Sequence, residues 1–312
     1  MPFPDIAAAA DLSLNEALAL VSGQFDAEEI LDRPIELADV EEYYRQSDRG
    51  YRLFHSREGA LHIALGCDGH RDTNCYSRQA EIFREHLDAI GAERAIEFGC
   101  GMGFNTRWLA EHCADRTFVG LDLTESHIRH ATKLAGSLAN VEFVQGNYEA
   151  LSYPENSFDA VLAVETLCQT PNLRQALAEA HRVLRPGGRL VVIDCFRSLS
   201  LEQFDPPLRK AARLVEKTTA VAGFAVVADW IALAESVGLP FVEDQDLSAE
   251  TRQNLTRLYS LAKRFFKMPR AMRAMTKAFP PRLLENSICG LLMPYTVGHG
   301  AHTYRAITVE KR

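Results

Sequence analysis

Residues Glu97-Phe98-Gly99-Cys100-Gly101-Met102-Gly103, with Asp122 nineteen residues after the last glycine, constrain this chain more than any other feature. The apolar run Arg94 to Phe98 predicts a strand, Asn105 to His112 an amphipathic helix, and Thr117 to Leu121 a second strand ending at Asp122. Glycines at a strand-to-helix turn reach positive φ and let the backbone approach a ligand. An acid at the end of the next strand can accept hydrogen bonds from both hydroxyls of a ribose. The order strand, glycine turn, helix, strand, acid describes a nucleoside-binding crevice at the carboxyl ends of parallel strands.

A dinucleotide fingerprint needs G-x-G-x-x-G with a pyrophosphate at the helix N-terminus. Here the spacing is G-x-G-x-G, and the Glu97 carboxylate ahead of it repels a pyrophosphate while suiting an ammonium or sulfonium. Further strands follow in order: Val141 to Asn147, Phe158 to Val164, and Leu190 to Ile193 after the turn Pro186-Gly187-Gly188. The E-x-G-x-G-x-G motif and these ordered strands resemble the class I S-adenosylmethionine (SAM) methyltransferases, closely over residues 80–195 and loosely over 225–247. The resemblance implies a Rossmann-like, doubly wound α/β fold with a seven-stranded sheet and SAM as cofactor. It implies that Glu97, Gly99, Cys100, Gly101 and Gly103 shape the methionine-end pocket and that Asp122 holds the ribose. Leu123 would pack by the adenine, Asn147 and Tyr148 would border it, and Val164 would close the pocket from the fourth strand. The family usually has Asp where this chain has Asn147, whose amide oxygen can still accept the adenine amine.

A chain of 312 residues can bury a full core. No apolar run reaches the roughly 20 residues of a membrane span, and no secretory signal is visible at the N-terminus. Seven scattered cysteines without metal-ligand spacing suit a reducing, cytoplasmic setting and no bound metal. A net charge of −8 argues against general nucleic-acid binding. The charge is unevenly placed: residues 250–282 hold nine Lys/Arg against the single acid Glu250.

Residues 1–75 read as a helical N-terminal cap, rich in aromatic and His residues from Tyr43 onward. Residues 76–312 read as the SAM-binding core, its strand–helix alternation interrupted at about 196–228 and 248–300. Insertions above a doubly wound sheet commonly cover the ligand crevice, so both are expected as lids.

Glu165 follows the fourth strand in Val164-Glu165-Thr166-Leu167-Cys168-Gln169. This segment resembles the sterol C-methyltransferases and, more distantly, the prenyl-diphosphate C-methyltransferases, where a glutamate here lies beside the substrate double bond. An alkene has no lone pair: its π-bond attacks the sulfonium methyl, a carbocation forms, and negative charge, π-faces and a base are then needed. Glu165 is therefore the candidate catalytic base. Tyr51, Phe54, His55, His62, Gln169, Tyr295 and His299 are candidate substrate contacts. Lys263, Arg264 and Lys267 cluster at helical spacing and suit a diphosphate. The expected acceptor is an isoprenoid of terpenoid metabolism, a prenyl or isopentenyl diphosphate ahead of a sterol-like molecule. The same basic segment also suits an anionic membrane surface, and a homo-oligomer is compatible with the chain. The rivals are O- or N-methylation of another small molecule, with Glu165 only orienting it, and a SAM-binding protein without transferase activity.

Overall fold

The computed structural model describes residues 2–51, 55–56, 58–66, 73–268 and 278–312. Four helices come first: α1 (Pro4–Ala8), α2 (Leu14–Ser22), α3 (Ala27–Asp32) and α4 (Leu37–Gly50). Their starts are encoded locally. The Ser13 hydroxyl accepts the Glu16 N–H at 3.3 Å while the Glu16 carboxylate accepts the Ser13 N–H at 2.7 Å, a capping box that begins α2. Asp26 caps α3 by accepting the N–H groups of Glu28 and Glu29.

Strand and helix then alternate as the periodicity predicts: α5 (Arg78–Ile90), β1 (Arg94–Phe98), α6 (Phe104–His112), β2 (Thr117–Asp122), α7 (Glu125–Ala135), β3 (Val141–Gln145), β4 (Phe158–Val164), α8 (Leu173–Val183) and β5 (Leu184–Arg197). The chain continues through α9 (Pro206–Thr218), α10 (Val227–Ser236), β6 (Phe241–Asp246), α11 (Arg252–Phe266), α12 (Pro281–Gly298) and β7 (His302–Glu310). The described strands form one seven-stranded sheet in the order β3-β2-β1-β4-β5-β7-β6. β1 to β5 run parallel, and β7 is antiparallel to both its neighbours. β1 has a strand on each side, β2 and β4, whose connections leave in opposite directions. That is the switch point at which doubly wound sheets open a crevice. Register brings the chemistry to one edge: Phe98 pairs with Leu121 and Ala163, and Val164 pairs with Ile193. The turn after β1, Asp122 and Glu165 therefore emerge side by side.

Helices α9, α11 and α12, from the two interruptions, pack with α1–α4 into one helical layer. α12 runs through its middle, burying Leu284, Ile288, Leu291, Leu292 and Val297. The basic segment meets the acidic N-terminus there: Lys263 Nζ lies 2.7 Å from both Asp11 carboxylate oxygens, and Arg252 pairs with Asp5 at 3.7 Å. Arg282 reaches Asp39 at 3.1 Å, and Arg33 forks onto the buried Glu285 at 2.7 and 3.0 Å. No described helix is long and apolar enough to cross a membrane. The expectation of uniformly reduced cysteines fails at Cys75, which is disulfide-bonded, whereas Cys100, Cys113, Cys168, Cys195 and Cys289 are free thiols.

Gly103 caps α6 with φ 76°. A Cβ there would sit 2.6 Å from the Phe143 ring and 2.7 Å from the Ala131 methyl, so its hydrogen is what lets α6 and α7 close on β3. Gly103→Ala is expected to lower unfolding free energy by roughly 2–4 kcal/mol, combining overpacking with a left-handed backbone. Gly91→Ala, at φ 61° and ψ 38° with nothing within 4 Å of the added carbon, isolates the left-handed backbone cost, roughly 1–2 kcal/mol. Denaturant unfolding of the two variants checks the difference.

Candidate active site

A cavity of about 450 Å³ opens at the carboxyl edge of β1, β2 and β4 and runs under the helical layer. Its floor is the glycine turn. Gly99 and Gly101 adopt φ 62° and 52°, and a Cβ on Gly99 would collide with the Thr166 hydroxyl at 2.1 Å. Asp122 is held by the turn it serves: one carboxylate oxygen accepts the Gly101 N–H at 2.9 Å and the other the Thr124 N–H at 2.8 Å. Leu123, Gly146, Asn147 and Tyr148 continue the wall. The Tyr148 ring stacks on Phe98 with centroids 5.7 Å apart. The Asn147 amide oxygen already accepts the Glu149 N–H at 2.8 Å, so the expected adenine contact would share an oxygen with this local turn.

Three carboxylates face this space, the buried Glu97 and Asp194 and the half-buried Glu165. Glu97 accepts from the Asn105 amide at 2.9 Å and from the Thr106 hydroxyl. Burial nevertheless pushes its pKa up to about 7. Glu165 sits at φ 45°, an uncommon conformation for a residue with a Cβ, which turns its side chain off the end of β4. Its Oε1 accepts the Ile63 N–H at 2.7 Å and the Tyr304 O–H at 2.8 Å. Burial, opposed by those two bonds, raises its pKa to about 7. Asp194 accepts backbone N–H groups from Cys168 at 3.1 Å and Cys195 at 2.8 Å and is raised by burial to about 6.

The ceiling is aromatic. Tyr44 donates to Gln169 at 3.0 Å, and the Tyr43 and Tyr51 hydroxyls meet at 2.7 Å. His55 Nε2 lies 2.7 Å from the His62 carbonyl, and His62 Nε2 lies 2.9 Å from the Tyr76 carbonyl. A carbonyl only accepts, so both rings carry their proton on Nε2. Desolvation lowers both pKa values to about 4, so both rings are neutral at pH 7. Leu258, Leu261, Ala262 and Phe265 close the cavity from α11.

Of the sequence candidates, Glu97, Gly99, Cys100, Gly101, Asp122, Leu123, Asn147, Tyr148, Val164, Glu165, Tyr51, His55, His62 and Gln169 line the cavity. Phe54 lies outside the described residues. Lys263, Arg264, Lys267, Tyr295, His299 and Gly103 are absent from the lining. α11 turns its apolar face inward, so Lys263 is engaged by Asp11 while Arg264 and Lys267 point to solvent. Tyr295 donates to the Leu12 carbonyl at 2.6 Å and tethers the N-terminus. His299 ends α12, and Gly103 is a packing glycine. Sequence reasoning missed Asp194, Tyr304 and His127. Asp194 and Tyr304 reach the region through long-range packing, and His127 follows Asp122 by five residues without a motif that marks it.

The donor set fits SAM: a glycine turn too crowded for side chains, a placed acid for a ribose and a buried acid for an ammonium. The described lining includes Glu41, Glu97, Asp122, Glu149, Glu165 and Asp194 and no Lys or Arg, which suits a cationic ligand. Residues 96–192 match a family model described as a methyltransferase domain. The chain is 25% identical over 193 residues to 24-methylenesterol C-methyltransferase 2 of Arabidopsis thaliana, covering 61% of this chain and 53% of that protein. It is 34% identical over 140 residues to the fatty-acid O-methyltransferase of Mycolicibacterium smegmatis, covering 45% and 51%. The chain thus spans about half the length of these curated relatives. Geranyl diphosphate C-methyltransferase from Streptomyces coelicolor shares the fold, with a TM-score of 0.64 at 16% identity over 88% of this chain and 97% of that one. Residues 96–192 carry a methyltransferase domain with SAM as cofactor, on the class I methyltransferase fold, and the chain is similar in sequence to a sterol C-methyltransferase.

Glu97 gives a pH prediction. With its pKa near 7 in the free protein, Glu97 is about half protonated at pH 7, and a cation held beside it favours the carboxylate. SAM binding at pH 7 is expected to release a fraction of a proton, so calorimetric heats differ between phosphate and Tris buffers. Glu97→Gln removes most of that difference and weakens binding about 10- to 100-fold, the loss of a charged hydrogen-bonding partner.

Proposed function

We propose that the protein transfers the methyl group of SAM to an alkene carbon of a neutral, apolar isoprenoid of sterol-like chemistry, with Glu165 as the base. The observation that carries this reading is a half-buried carboxylate, Glu165, in a cavity walled by tyrosines and acids, with no Lys or Arg among its described lining residues. Such a wall disfavours a bare diphosphate, and Lys263, Arg264 and Lys267 lie outside the described lining, which supports a neutral acceptor ahead of the prenyl diphosphate expected from the sequence. The plant relative's name, a methylenesterol C-methyltransferase, agrees in substrate class.

SAM, when bound, supplies an electrophilic methyl group on a sulfonium. We assign Glu97 and the Gly99–Gly101 turn to its methionine end, Asp122 to its ribose, and Leu123, Asn147 and Tyr148 to its base. The alkene π-pair becomes the new carbon–carbon bond, and positive charge develops on the more substituted alkene carbon. The faces of Tyr44 and Tyr51 and the carboxylates of Glu165 and Asp194 stabilise that charge. Glu165 then takes a proton from the neighbouring carbon, whose C–H pair becomes the new double bond. A carboxylate with a pKa near 7 suits this step, because about half of it is ionised at pH 7 and it is still basic enough to keep the proton.

O-methylation is the competing reading, and the relation to a fatty-acid O-methyltransferase favours it. There Glu165 would orient a hydroxyl acceptor. A carboxylate acceptor fits poorly among six acids.

A transfer assay with methyl-labelled SAM separates these readings. The panel is a Δ24 sterol, geranyl diphosphate, a monounsaturated fatty acid and a phenol. Label is expected on a sterol carbon, and Glu165→Gln should lower kcat on the order of 100-fold or more. Label confined to geranyl diphosphate would sink the neutral-acceptor reading. Label on oxygen, with Glu165→Gln retaining most of kcat, would establish O-methylation instead. Charge reversal at Lys263 and Arg264 is expected to leave the acceptor KM unchanged.

A further inference from the structure

Tyr304 on β7 and Gln79 on α5 lie far from the glycine motif in sequence, yet both end beside Glu165. The Gln79 amide nitrogen donates to the Ile63 carbonyl at 2.7 Å and to the Tyr304 oxygen at 3.2 Å. Ile63 N–H and Tyr304 O–H in turn donate to Glu165 Oε1, closing a ring of hydrogen bonds. The ring has one possible polarity. A carbonyl cannot donate, so the amide nitrogen must face Ile63, and its second hydrogen then points at Tyr304. The Tyr304 oxygen is therefore an acceptor from Gln79, and its own hydrogen goes to Glu165. The Gln79 oxygen, fully buried, has no hydrogen-bond partner among the described residues, so the amide is held by its two donations.

We infer that Gln79 and Tyr304 are positioning residues that keep Oε1 of Glu165 saturated with donors and leave Oε2 as the oxygen that receives the substrate proton. This inference rests on the proposed alkene methylation. Both donors favour the carboxylate over the acid, offsetting part of the desolvation that raises its pKa. The other titratable groups that act on Glu165 are Asp194 and Cys195 on β5, Cys168 after β4, Cys289 on α12, Tyr44 on α4 and Tyr51 just after it. Tyr304→Phe leaves the charges of all of them in place.

The test uses the full chain labelled with carbon-13 at the glutamate carboxyl, with S-adenosylhomocysteine bound and the Glu165 resonance identified by its loss in Glu165→Gln. Tyr304→Phe is expected to raise the Glu165 pKa by roughly one unit, since one donor to the charged form is lost. Gln79→Met, which frees the Tyr304 hydroxyl to turn away, should raise it by less. With the Δ24 sterol as acceptor, the acid limb of kcat should move up by the same amounts. The rate then falls several-fold at pH 7 and recovers near pH 9, whereas a general loss of structure lowers it at every pH. An unmoved Glu165 titration in Tyr304→Phe, with SAM affinity intact, would overturn the assignment. If the titrations move but Glu165→Gln still methylates the sterol at the wild-type rate, the deprotonation reading falls, and the role given to these two residues falls with it.

Discussion

Negative charge buried without a matching cation is the constraint on which the rest of this structure turns. Glu97, Glu165 and Asp194 lie at the carboxyl edge of the sheet, each at most partly compensated by hydrogen bonds. Taking a carboxylate out of water is expensive, and the cost appears as pKa values pushed toward neutrality. A site in this state is unfavourable by itself and becomes favourable when a cation enters. A sulfonium cofactor supplies one, and the carbocation proposed on the acceptor would supply another.

The helical layer makes that state possible by keeping the chain's cations away. Residues 250–282 hold nine Lys/Arg against one acid. Arg264 and Lys267 face solvent, Arg257 is half-buried with its charge acting on His55, and Arg252, Lys263 and Arg282 engage Asp5, Asp11, Asp39 and Glu285. Exposed pairs of this kind contribute little stability individually. Their effect here is orientation: they fasten α1, α2 and α4 to α11 and α12, so that Leu258, Leu261 and Phe265 face inward. One helix thereby contributes an apolar wall on one side and a basic surface on the other.

Most of the parallel core was legible in the sequence. β1 and β4 coincide with the predicted strands, and β2 differs by a single residue at one end. Those segments are apolar runs bounded by turn residues, and their period is a local property. The glycine turn, Asp122 and Glu165 were legible for the same reason, since each sits where a strand must end. The basic helix misled because spacing shows which residues share a face and says nothing about what that face meets. Lys263, Arg264 and Lys267 do share a side of α11, but the side that matters for the cavity carries Leu258, Leu261, Ala262 and Phe265. Tyr295 looked like cavity wall for want of any local sign that its hydroxyl would bind Leu12, 283 residues away.

The sequence by itself determined the order of strands and helices, the glycine turn, the placed ribose acid and a glutamate after the fourth strand, because each depends on neighbours within a few turns of chain. The tertiary structure alone decided that β7 enters antiparallel between β5 and β6, bringing Tyr304 against Glu165, and that α5 delivers Gln79 to the same point. It also decided that the described cavity lining is acidic and takes Leu258, Leu261, Ala262 and Phe265 from α11 in place of Lys263, Arg264 and Lys267. Hydrogen bonds between residues separated by 102, 139 and 225 positions set the state of the central carboxylate, and contacts at that range are fixed by packing, which no local pattern encodes.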